Sequence, residues 1–388
     1  MNLLGPAFKG ADRIIMAVSA AGLEGIIAAE SKICWIDGEA GILSYQGYDI
    51  RILGDNASFE EVVFLLWNGR LPKQAELDAL KTGLVEHRII PAQVEAFLKS
   101  VSKNLPMAVL RTAVSMLGIH DPAAQDMTPE ANHLKALKLM AQTATIVSSF
   151  DRLRNGLAVV PGDASLGFAA NFLYTLTGKK PDHVMEKAFD VALTLHAEHE
   201  LNASTFAARV TAATLSDIYS AVTSAIGALK GPLHGGANED VIRLLLKIDT
   251  PEQALDVVKG MLAEKKKIPG FGHRVYHTVD PRAAFLKNMA EALGKSTGHV
   301  KLYEISKAIE KYNKEAKNLN ANVDFYSAST YYSLGIPVDL FTPIFAVSRM
   351  SGWTAHILEQ YTNNRLIRPR ADYIGSPAGQ AWVPMDRR

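Results

Sequence analysis

A recurring helix-start signal constrains this chain more than any other feature. Thr128-Pro129-Glu130, Thr250-Pro251-Glu252 and Thr342-Pro343 each put a capping hydroxyl before a proline. Proline at the first helical position costs nothing, because that N–H has no partner inside the helix. Ser58-Phe59-Glu60-Glu61 forms a capping box ahead of the apolar run VVFLLW. Between such starts the apolar residues recur at three and four, as at Leu134, Leu137 and Ala141. Pro72, Pro91, Pro106, Pro161 and Pro181 punctuate the chain at intervals suited to helices of about 10 to 20 residues. No series of strands alternates with these helices, which excludes a parallel α/β sheet. The expected fold class is therefore all-α, with one exception. Residues 30–50, ESKICWIDGEAGILSYQGYDI, set β-branched and aromatic residues around Asp37-Gly38 and predict a small N-terminal β hairpin. Residues 203–229 are rich in Ala, Ser and Thr and predict a closely packed central helix pair, with a subunit interface as the second reading.

At 388 residues the chain exceeds one small core and predicts two or three domains. Its 41 basic and 40 acidic residues leave a net charge of +1, so nothing global draws it to nucleic acid or to an anionic membrane. A single cysteine, Cys34, rules out an intramolecular disulfide and a cysteine-based zinc site, and a reducing cytoplasm is expected. Lys9 and Arg13 ahead of IIMAVSAAGL imitate a signal peptide, but Asp12 and Glu24 interrupt it, and no cleaved signal is expected. No apolar run reaches the length of about 18 residues needed to cross a bilayer.

The stretch Lys266 to Ala283, KKIPGFGHRVYHTVDPRA, is poor core material. Gly270 and Gly272 allow a tight turn, and His273 follows directly. Asp280-Pro281 reads as a helix cap and first position, which puts Arg282 beside free backbone N–H groups. An anion site and an ordinary basic loop are the two readings. His196 and His199, three apart, share a helix face if the helix continues, next to Glu198 and Glu200, which raises a zinc site. The spacing is not His-Glu-x-x-His and no third ligand is evident. A core histidine and a substrate-binding histidine are the other readings. His234, between Gly231-Pro232 and Gly235-Gly236, cannot lie within a helix and suits a neutral imidazole donating one hydrogen bond. Asp324 sits beside apolar and aromatic residues, with Ser327 and Ser329 near enough to orient it; a plain helix cap is the alternative. Arg349 in the apolar FAVSRMSGW requires a buried anion or a carboxylate partner. Arg365, Arg368 and Arg370 crowd the C-terminal region, either as a solvated tail or, with Arg282, as ligands for a dicarboxylate.

GPLHGGANE, PGFGHRVYHTVDPR, NVDFYSAS and FTPIFAVSRMSGWTAHILEQ, in this order, resemble citrate synthase, closest to the shorter bacterial and archaeal type that includes 2-methylcitrate synthases. The likeness runs from about Gly22 to Gly375. It implies a two-domain, all-helical homodimer. A large domain of residues 1–234 and 336–388 would hold both chain ends, and a small domain of residues 235–335 would close over the substrates. It implies condensation of acetyl-CoA with oxaloacetate and water to citrate and CoA, with no metal and no redox cofactor. Propionyl-CoA use, or a non-catalytic CoA- or metabolite-binding role on the same fold, are the alternatives.

Carried over by motif, Asp324 would be the base at the acetyl methyl group, His234 the donor to the thioester oxygen and His273 the donor to the oxaloacetate carbonyl. His199, Asn202, Arg282, Arg349 and Arg368 would bind oxaloacetate, with Arg368 reaching the partner's site. Pro269, Gly270, Phe271 and Gly272 would meet the CoA adenine. Longer relatives carry a CoA phosphate-binding arginine just past this turn. Here Tyr276 and His277 occupy that region, and Lys267 and Arg274 stand in for it. Leu105 takes a non-catalytic position often held by histidine.

Overall fold

The computed structural model describes residues 21–23, 25–273 and 275–388. Most of the imitation signal segment, up to residue 20, and Arg274 lie outside the described residues. The chain falls into two units, Ser31–Ile367 and the paired terminal segments. The terminal unit holds 3-10 turns at Ala21–Leu23 and Met385–Arg387, and Ile27, Ile374 and Trp382 are well exposed.

The larger unit contains sixteen α-helices and one small sheet among the described residues. The expected hairpin gains a third strand. β1 (Cys34–Asp37), β2 (Ile42–Tyr45) and β3 (Tyr48–Asp49) pair antiparallel in the order β1-β2-β3. The capping predictions hold at Ser58, Thr128 and Thr250. Each side-chain oxygen accepts the N–H three residues on, and Glu61 returns a bond to the Ser58 N–H. Thr342 is a correction. The helix Phe341–Thr362 starts two residues earlier than that signal indicates, out of a 3-10 turn at Val338–Leu340. The Thr342 hydroxyl instead reaches the Gly235 carbonyl and Glu239, so tertiary contacts outbid its use as a cap. Helices Pro129–Arg154 and Phe341–Thr362 also exceed the expected lengths.

Nearly every residue of Phe341–Thr362 is buried. A helix apolar or small on all faces can only sit inside others. It packs on Phe59–Asn68, Pro129–Arg154, His183–His196, Ala203–Ala212 and Ile218–Leu229. The last two form the close pair expected from their small residues. Helices Ala237–Leu245, Pro251–Ala263, Ala283–Thr297, Val300–Lys317 and Val323–Ser333 pack on one another. No described helix is long and apolar enough to cross a membrane.

Candidate active site

Three irregular segments carry the candidate groups, and each is fixed from behind. The first joins His183–His196 to Ala203–Ala212 and carries His199. The hydroxyl of the buried Tyr45 donates to the Glu198 carbonyl at 2.9 Å and accepts its N–H at 3.3 Å. Glu198 is itself fully buried, with Oε1 3.1 Å from His356 Nε2. Only a glycine lets the central helix approach here. A Cβ on Gly352 would lie 2.1 Å from the Glu198 carboxylate. Asn202 caps Ala203–Ala212, accepting from Thr205 N and the Ser204 hydroxyl and donating to the His199 carbonyl.

The second segment runs through Pro269–Gly272 to Arg282. Gly270 has φ +79°, and a Cβ there would come within 2.8 Å of Phe325 and Val241, so no other residue fits. Phe271 makes a β-bridge with Ala321, and Asn322 both donates its N–H to the Gly270 carbonyl and caps the helix of Asp324. The turn and the start of Val323–Ser333 are thereby one structure. His277 N donates to the Gly38 carbonyl at the tip of β1–β2, which steadies the loop from the other side.

Asp280 departs from its expected role. The helix begins at Ala283, two residues later than the Asp-Pro signal indicates, with Arg282 at the cap position. The Asp280 carboxylate instead grips the Arg282 guanidinium at 2.9 and 2.8 Å and accepts the N–H groups of Arg282 and Val323. Both side chains are almost wholly buried. Burial alone would raise the Asp280 carboxyl, but Arg282 overrides it and holds the group below its usual range. Arg282 is in turn held charged by Asp280 against burial.

His234 occupies the third segment, a turn between Ile218–Leu229 and Ala237–Leu245. Its Nε2 receives the Ser204 backbone N–H at 3.3 Å and lies 2.8 Å from the Ser204 hydroxyl. A backbone N–H only donates, so Nε2 accepts and the proton sits on Nδ1. His273 shows the mirror arrangement. Its Nδ1 accepts from the N–H groups of Val275 and Tyr276, so its proton sits on Nε2. Burial pushes both imidazoles down to about 4, aided by Arg349 at His234 and by Arg282 at His273. Both are neutral donors at pH 7. His199 lies 5.3 Å from the His273 ring, with its Nε2 3.2 Å from the Tyr276 hydroxyl. Burial, then Arg282, His273 and Arg349, hold it well below the ordinary value.

Arg349 has no carboxylate within ion-pair distance among the described residues. Its Nε donates to the His196 carbonyl at 2.7 Å, and its guanidinium stacks 4.8 Å from the Phe345 ring. It is buried, so desolvation opposes its charge. A buried guanidinium of this kind is set up to meet an anion.

Asp324 accepts no hydrogen bond on its carboxylate among the described residues. Ser327 and Ser329 do not orient it; their hydroxyls donate to the backbone carbonyls of Asp324 and Tyr326. Burial raises the carboxyl to about 6, partly opposed by Arg282 and Arg349. His196 proves to be a core residue. It is fully buried with Nδ1 on the Ala192 carbonyl.

A cavity of about 220 Å³ opens at the second segment, with His273, Tyr276 and Asp280 facing Asn320 and Asn322. Lys267 is exposed just before the Pro269 turn, and Arg368 is exposed within the terminal unit. A larger cavity of about 680 Å³, lined in part by Arg88, Ser149 and Phe168, holds none of these residues.

The family model for the citrate synthase C-terminal domain matches residues 22–370. The chain belongs to the citrate synthase family. Enzymes of this family condense acetyl-CoA with oxaloacetate, a transferase reaction. The chain is 55% identical to citrate synthase 2 of Bacillus subtilis, across 95% of this chain and 98% of that one. It is 44% identical to a 2-methylcitrate synthase of Shewanella oneidensis, across 92% and 95%. The solved citrate synthase of Thermoplasma acidophilum, a ternary complex with carboxymethyl coenzyme A and oxaloacetate, superposes with a TM-score of 0.88 at 34% identity, across 94% of this chain and 98% of that one.

Sequence reasoning passed over two members of the site, both within the second segment. Asp280 read as a cap because Asp-Pro is a common helix start. Tyr276 read only as a departure from longer relatives. Their burial beside Arg282 and the histidines is what marks them, and no local pattern encodes it.

Proposed function

We propose that this chain condenses acetyl-CoA with oxaloacetate and water, giving citrate and free CoA. The observations that carry this reading are two neutral histidines with opposite fixed tautomers and a buried carboxylate that accepts no hydrogen bond among the described residues. The α-proton of a thioester is weakly acidic, so a base needs a donor aimed at the developing enolate oxygen. Asp324 takes the proton from the acetyl methyl group. His234 donates from Nδ1 to the thioester oxygen. The carbon nucleophile then attacks the oxaloacetate carbonyl, whose oxygen receives the Nε2 proton of His273. Water finally hydrolyses the citryl thioester. The reaction requires neither a metal nor a redox cofactor.

Arg282, Arg349 and Arg368 neutralise the oxaloacetate dianion, with His199 beside them and Asn202 holding the His199 loop. Arg368 acts in the partner's site of a homodimer. The chain has a large domain of residues 1–234 and 336–388 and a small domain of residues 235–335 that closes to exclude water. Lys267, Arg274 and the Pro269–Gly272 turn face CoA, and the protein works in the cytoplasm as a tricarboxylic acid cycle enzyme. Arg368→Ala is expected to raise the oxaloacetate KM about tenfold or more with a smaller change in kcat. Steady-state kinetics with oxaloacetate as the varied substrate checks it, and an unchanged KM would remove Arg368 from the site.

The direct test is release of free thiol when purified protein meets acetyl-CoA and oxaloacetate. No release by folded protein would leave a binding protein on this fold. The likeness to a 2-methylcitrate synthase favours a second reading, in which propionyl-CoA is the acyl donor. One methylene gives only about 1–3 kcal/mol of discrimination. Comparing kcat/KM for the two thioesters decides between them.

A further inference from the structure

We infer that Tyr276 is a positioning residue that couples the two oxaloacetate histidines. The inference rests on the proposed assignment of His199 and His273 to that substrate. Four contacts converge on this one residue. Its backbone N–H donates to His273 Nδ1 at 3.2 Å and so helps keep the His273 proton on Nε2. Its hydroxyl lies 3.2 Å from His199 Nε2. Its ring lies 4.7 Å from the His273 ring and 5.9 Å from the Arg282 guanidinium. The side chain is 4% exposed, so these contacts do not compete with bulk solvent.

The hydroxyl also fixes a tautomer. His199 Nε2 is the one partner of that hydroxyl among the described residues. A buried phenol donates where it finds an acceptor. Donation to Nε2 would leave the His199 proton on Nδ1. Burial holds the phenol well above its ordinary value, so it keeps the proton it donates. Tyr276 thus touches both histidines, sharing with Val275 the backbone N–H groups on His273 Nδ1 and meeting His199 Nε2 through its hydroxyl. His199 and Tyr276 lie 77 residues apart, and the proposed domain division falls between them. The bond therefore also registers the two segments on one another.

Tyr276→Phe tests this, because it keeps the backbone N–H and the ring while removing one oxygen. Thiol release by the unaltered protein is established first, so failure of the functional reading is detected separately. Oxaloacetate affinity is then measured by calorimetry on the unaltered protein, Tyr276→Phe, His199→Ala and the double variant. The expected result is a loss of about tenfold in oxaloacetate affinity for Tyr276→Phe. That loss should disappear in the His199→Ala background, because the hydroxyl acts through the imidazole. Affinity within twofold of the unaltered protein would overturn the inference. An equal loss in both backgrounds would overturn it too, since it would show a role independent of His199.

Discussion

Asp324→Asn is expected to lower kcat by about a thousandfold, at the upper part of what general-base catalysis supplies. The amide matches the carboxylate in shape and cannot take a proton. Because the Asp324 carboxyl is raised to about 6, the unaltered enzyme should lose activity as pH falls through that value. The two histidines, at about 4, are already neutral there and do not set this limb. The same shift has a sign for stability. The folded state holds the proton on Asp324 more tightly than the unfolded chain does. Ionising this group therefore costs stability as pH rises from about 4 to about 6. Asn avoids that cost, so the variant should melt no lower than the unaltered protein at pH 7. An inactive variant with an unchanged or higher melting temperature supports Asp324 as the base. Turnover near that of the unaltered enzyme would remove it from that role.

Asp280→Asn should be the most destabilising change at the site, at about 3–5 kcal/mol. It removes the charge that faces Arg282 and one of the oxygens that accept from Arg282 and Val323. A guanidinium almost wholly buried is then left without its counter-charge. Asp280 lies below its ordinary value, so its contribution is present above about pH 4 and is lost as pH falls through the folded-state value. The variant should therefore differ from the unaltered protein most at neutral pH and least in acid. Denaturant titration at pH 7 measures the loss, and oxaloacetate KM should rise with it as Arg282 loses its orientation. An unchanged midpoint together with an unchanged KM would show that Arg282 is held by other groups.

These two residues also divide what was readable from what was not. Asp324 was legible as a carboxylate in an apolar, aromatic stretch, and the motif order gave it a role. Asp280 was misread because Asp-Pro is locally a good helix start. The competing attraction, a buried arginine two residues on and the open end of another helix, exists only once the chain is folded. Thr342 failed for the same reason, its hydroxyl going to Gly235 and Glu239. Ser58, Thr128 and Thr250 succeeded because no tertiary partner competes for their oxygens.

By itself, the sequence determined the helical class, the N-terminal sheet, the pairing of the small-residue helices and the histidine and aspartate positions in the motifs. Each of those depends on residues a few places apart, where periodicity and capping act. Only the tertiary structure decided which ring nitrogen of His234 and of His273 carries the proton, what holds Arg282, and that Arg349 meets no carboxylate of its own among the described residues. Some of those partners lie far along the chain, as Ser204 does from His234; others, such as Asp280 for Arg282, are near in sequence but are engaged only once both groups are buried. Hydrogen-bond direction and desolvation are set by what surrounds a group in space, and sequence spacing does not encode it.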